Sequence, residues 1–231
     1  MKIFSRNKES KDPADIIANC LTAVVNRITD SLSEETYRWS KPWGVKRFES
    51  MILAKFLMDY SFNGLADGKL KDDEKSSFES LCLDAFSKKF NDEFSSVALN
   101  FEDMQEEITG KIEAYHDARR SGRPPKCWHE IYTLITRSKS KEELEEDLQK
   151  KTAGLELIKG NQAFAGMVPQ YQAQIKILTD KADAFESAEM MLPHMVRFTK
   201  EKLRVLNMKK IKALSKKMAK KDKGKDKKKK K

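Results

Sequence analysis

From Ile16 to Leu206 the apolar residues of this chain return mostly at intervals of three and four, and no stretch keeps the period of two that a half-buried strand requires. That rhythm predicts an all-α fold. Asp12 and Pro13 form a helix start, a capping residue followed by a proline suited to the first turn. Behind them Ile16, Ile17, Cys20, Leu21, Val24, Val25, Ile28 and Leu32 mark one apolar face. A second helix is expected from Trp43, with Val45, Phe48, Ile52, Phe56 and Tyr60 on one side and Met51, Leu53 and Leu57 widening the stripe. It is the most apolar helix, and its richest stretch, Met51 to Met58, is interrupted by Lys55. A third begins at Asp72 and Asp73 and turns Phe78, Leu81, Cys82, Ala85, Phe86 and Phe90 inward. A fourth carries Val97, Phe101, Met104, Ile108, Ile112 and Tyr115, and a short fifth, after Pro124 and Pro125, holds Trp128, Ile131, Tyr132 and Ile135.

After Arg137 the aromatic residues thin out, and a four-three rhythm takes over. Leu144, Leu148, Leu155 and Ile158 keep it, with Lys151 where an apolar residue is expected. Past a turn at 160–169 it resumes through Tyr171, Ile175, Leu178, Ala182, Phe185, Leu192, Val196, Leu203 and Leu206, with Glu189 and Thr199 as polar exceptions. The sequence therefore divides into a flexible N-terminus (1–12), a compact helical domain (13–137), a helical hairpin or coiled coil (138–219) and a disordered lysine tail (220–231). An unbroken helix over 170–220 would be roughly 75 Å long and would project from the body. Pro193 is expected to kink or divide it.

Charge is distributed unevenly. Residues 200–231 hold seventeen Lys or Arg against three Asp or Glu, whereas the preceding 199 residues hold 29 basic against 33 acidic. A mildly acidic body thus carries a cationic arm, and an anionic partner for that arm is the strongest functional expectation. From Val196 to Met218 the arm reads as a basic amphipathic helix. Leu203, Leu206, Ile211, Leu214 and Met218 supply its apolar edge. Lys209, Lys210, Lys212, Lys216 and Lys217, followed by Lys220 and Lys221, are the candidate polyanion contacts, acting as interchangeable charges. No aromatic residue follows Phe198 and no arginine follows Arg204, which argues against base stacking, bidentate base reading and an aromatic membrane anchor. RNA or DNA bound without sequence preference is the leading reading. An anionic membrane surface is the second, with the apolar edge entering the interface. A protein–protein coiled-coil adaptor with a solubilising tail is the third, and self-association through the stripe from Tyr171 to Leu206 belongs with it.

Motifs for chemistry are thin. In the calcium-loop frame 63–74, Asp67, Gly68 and Glu74 fall at the fifth, sixth and twelfth positions, but Leu65 fills the third and Lys71 the ninth, which favours an ordinary turn. Ala66-Asp67-Gly68 before an acidic helix start is similar to a pattern in small helical domains of the tellurite-resistance TerB type. That resemblance spans this short stretch alone and implies no activity. His116, Cys127 and His129 lack a fourth partner for zinc, Ser138 and Lys141 lack the companion motifs of an acylating pair, and Gly110-Lys111 lacks a phosphate loop. No enzyme, metal or cofactor is expected. The acidic runs Glu102 to Glu107 and Glu142 to Asp147 read as solvated helix starts. Three unpaired cysteines, and the lack of a secretory leader or a long apolar run, place the chain in the cytosol.

Overall fold

The computed structural model describes residues 12–33, 43–213 and 215–216, and every regular element among them is helical. In chain order these are α1 (Pro13–Ser33), α2 (Trp43–Ala66), α3 (Asp72–Phe94), α4 (Phe101–Ser121), α5 (Lys126–Thr136), α6 (Lys141–Lys159) and α7 (Val168–Leu203). A further helix, α8, covers 208–213 and 215–216. The expected flexible segment up to residue 11 and the tail 220–231 lie outside the described residues, as do Leu214, Lys217 and Met218.

Contacts divide the chain into two units, each built from separated segments. The first comprises Met1–Asn26, Ala54–Glu106 and Val196–Lys231, and the second Arg27–Leu53 and Glu107–Met195. This grouping differs from the linear division expected at Arg137. The physical reason is visible in the second unit, where Tyr132 of α5, Leu144 of α6 and Ala184, Phe185 and Ala188 of α7 share one buried cluster. The Tyr132 and Phe185 rings meet edge to face at 5.1 Å, so the element before the polar link and the one after it need each other's apolar faces.

In the first unit aromatic side chains fill the core. Phe62 of α2 stacks on Phe78 of α3 with ring centroids 3.6 Å apart. Phe86 and Phe90 meet Phe101 at 5.7 and 6.4 Å. The α3–α4 connection is short and polar at its exit: the Phe101 amide donates to Asn91 Oδ1 at 2.6 Å, and Asn100 Oδ1 accepts from the Asp103 amide at 2.9 Å. Capping therefore starts α4 at Phe101. Val97, expected inside that helix, instead lies in a 3₁₀ turn and is 61 % exposed. Ser61 donates to the Val196 carbonyl at 3.5 Å, and the Lys200 side chain passes 3.6 Å from where a Gly64 Cβ would stand, joining α2 to the end of α7.

The polar exceptions in the four-three stripe are each accommodated. Lys151 lies over the Tyr171 ring at 5.0 Å, Glu189 pairs with His129, and Thr199 is fully buried. Gly154 lets α6 approach the Tyr171 ring so closely that a Cβ there would stand 2.8 Å from it. Pro193 sits inside α7, which stays helical for 36 residues, about 54 Å. The expected division of the long helix occurs ten residues later. The Arg204 amide donates to the Lys200 carbonyl and the Leu206 amide to that of Leu203, closing the helix before α8 starts. No described helix is long and apolar enough to cross a membrane.

Candidate polyanion-binding surface

Asn207 makes α8 a separate helix. Its side-chain oxygen accepts from the Lys209 amide at 3.0 Å, and its carbonyl accepts from the Lys210 and Ile211 amides at 2.9 and 3.2 Å. The side chain satisfies an amide that the first turn leaves without a partner. The short link 204–207 also redirects the apolar edge. Leu203 and Ile211 are completely buried and Leu206 is 5 % exposed, so the described residues of the edge read from the sequence are covered within the first unit.

Two polar contacts fasten α8 to the start of α3. Lys212 Nζ lies 3.6 Å from Glu74 Oε2, and the Ser215 hydroxyl donates to the Asp73 carbonyl at 3.2 Å. Glu74 has a second task, since the same oxygen accepts from the Lys71 amide at 3.0 Å and caps α3. That amide hydrogen bond is the largest influence on its carboxyl and holds it below the ordinary glutamate range; slight desolvation opposes the shift and the Lys212 ammonium assists it. The residue at the twelfth position of the calcium frame is thereby a helix cap. Gly68, at φ +65°, supplies the bend, with the Lys69 and Leu70 amides donating back to the Ala66 carbonyl.

Of the expected contacts, Lys209, Lys210 and Lys216 are exposed on α8, and Lys212 is half-buried in its pair with Glu74. Lys217, Lys220 and Lys221 lie outside the described residues. Arg197, Lys202 and Arg204, near the end of α7, are also exposed in this unit. They were absent from the candidate set, although the excess of positive charge begins among them. Six cations are thus exposed between Arg197 and Lys216, beside Glu201 and an exposed Val205, and cations so placed are able to neutralise phosphates.

Other polar clusters exist in the second unit. Glu49, 1 % exposed, receives Lys111 and the Tyr115 hydroxyl at 3.4 Å, while Arg137 lies 3.5 Å from it and 3.7 Å from Glu107. This network joins α2 to α4 and to the end of α5, and burial followed by the Glu49 charge pushes the Tyr115 phenol well above its usual range. A groove of about 690 Å³ runs past Asp117, Ser121, Lys126, His129 and Glu130 to the start of α6. Along it Ser121 donates to Glu130 at 3.0 Å, and the His129 ring is tied to Glu189 and set edge-on to Phe185. Ser138 shares a hydrogen bond with Thr136, whereas Lys141 opens α6 behind the Ser140–Glu143 capping box. Cys127 is buried, and no group of three metal-ligating side chains occurs among the described residues. No known protein family, curated protein or solved structure matches this chain.

Proposed function

We propose that this chain is a non-enzymatic helical binding or scaffold protein of the cytosol, whose C-terminal arm docks on RNA or DNA without sequence preference. The observation that carries this reading is the burial of Ile211 and Leu206 beside exposed Lys209, Lys210 and Lys216. With Ile211 covered, the exposed lysines are what the described part of α8 offers a partner. Lysines attract phosphates as point charges without reading bases, and the bound counterions they displace make such binding salt-sensitive. The same burial counts against a membrane reading, which needs that edge to enter the lipid interface. Self-association along Tyr171 to Leu206 is less favoured where Phe185, Leu192 and Leu203 are covered within the chain. Three buried free cysteines support a reducing compartment.

The test compares the full chain with one ending at Asn207, each titrated with duplex DNA, RNA and anionic phosphatidylserine vesicles over a salt series. Salt-sensitive binding to both nucleic acids that disappears on truncation is the expected result. Unchanged binding after truncation removes the arm from the account. Vesicle binding that persists at high salt, and is lost when Leu206, Ile211 and Leu214 become Ser, establishes the membrane reading instead.

A further inference from the structure

Ser215 is the only hydroxyl residue after Thr199, and it stands at the contact that fastens α8 to α3. Lys209, Lys210 and Lys212 precede it and Lys216 and Lys217 follow it, a basic flank of the sort that serine kinases with acidic substrate grooves select. Its hydroxyl is partly exposed and donates to a carbonyl. That carbonyl belongs to the acidic first turn of α3, which carries Asp72, Asp73 and Glu74. From these placements we infer that Ser215 is a phosphorylation site whose modification releases α8 from α3.

In the transfer, Ser215 Oγ forms a bond to the γ-phosphorus of a nucleoside triphosphate as the bond to the β,γ-bridging oxygen breaks. The hydroxyl proton passes to the kinase's base, and the nucleoside diphosphate leaves. The product has lost the donor that held the Asp73 carbonyl and has gained nearly two negative charges. A phosphate at a helix start is ordinarily favourable where it meets free amides. Here the contacted group is a carbonyl oxygen in a turn that carries three acidic residues, so like charges oppose each other. Lys212, one helical turn before Ser215, also gains a closer anion than Glu74. Both polar fastenings are therefore undone by one modification.

Release exposes Leu206 and Ile211 and places a dianion among the lysines. Under the proposed function this lowers affinity for nucleic acid, and only this consequence rests on that reading. The release itself is read without any ligand. Full-length protein carrying genetically encoded phosphoserine at 215 is compared with unmodified protein by amide hydrogen exchange, with phosphoserine at Ser96, in an exposed turn of the same unit, as a charge control. Exchange across 208–213 is expected to rise about tenfold for the Ser215 form and to stay unchanged for the Ser96 form. Equal protection in all three overturns the release. Separately, the folded full chain is incubated with MgATP and a serine kinase selective for basic flanks. Phosphate mapped to Ser215 supports the site, and phosphate on other serines with none on Ser215 overturns it. If the unmodified chain fails to bind RNA or DNA, the proposed function falls while the exchange result stands.

Discussion

Lys55 interrupts the most apolar run of the chain, yet it is only 7 % exposed, because Asp59 lies one helical turn on and takes its ammonium at 2.5 Å. A buried pair of this sort is costly to break from one side. Replacing Asp59 with Asn is expected to cost about 3 kcal/mol in urea denaturation, and adding Lys55→Met to that variant should recover most of it. Burial also governs the thiols. Desolvation, opposed by the Lys202 charge, pushes Cys20 up to about 12, and burial pushes Cys82 up as well. A raised folded value means that stability is complete below the unfolded value of 9.0 and falls as pH rises toward about 12. Urea midpoints should therefore drop between pH 8 and pH 10.5, and Cys20→Ala should flatten that dependence. Backbone conformation gives a prediction of the opposite sign. Ala98 sits at φ 54°, in the left-handed region, where glycine carries no Cβ penalty, so Ala98→Gly is expected to stabilise by about 1 kcal/mol.

At the scale of elements, α8 joins the body through one buried edge and two polar contacts, and each part has its own test. Replacing Ile211 with Ser puts an unsatisfied hydroxyl into a fully buried site, which should abolish amide protection across 208–213 while leaving α2 and α3 protected. The Glu74 contact depends on pH with a definite sign. Because its carboxyl is held below the ordinary value of 4.5, its contribution is complete above that value and is lost as pH falls through the lower folded one. Exchange across 208–213, corrected for intrinsic rates, should accelerate on acidification below pH 4.5, and less so in Glu74→Gln. The helices themselves were legible in the sequence because apolar spacing and capping are local: Asp72 begins α3, Ser140 caps α6, and Leu144, Leu155, Phe185, Leu192, Leu203 and Leu206 of the four-three stripe are buried. The partner of each stripe was not legible. Spacing records that Phe185 needs a neighbour, but the choice of Tyr132 over a second copy depends on where distant segments meet. The end of the long helix at Leu203 follows from no proline: Pro193 stays inside α7, and the signal is Asn207, whose side chain caps the next helix.

For the whole molecule, the division into an acidic body and a cationic arm survives with a changed meaning. The sequence offered an amphipathic helix that needed an apolar neighbour. The fold buries Leu203, Leu206 and Ile211 in the first unit, and under the proposed function the exposed lysines of the arm act through charge. The most direct measurement is the salt dependence of binding to duplex DNA and RNA for the full chain and for a variant with Lys209, Lys210, Lys216, Lys217, Lys220 and Lys221 changed to Gln, which keeps Ile211 in place. For duplex DNA, log K is expected to fall with log salt at a slope of roughly −0.9 per neutralised phosphate, and the variant should bind more weakly with a shallower slope. Equal affinity and slope for the two proteins would contradict the central claim.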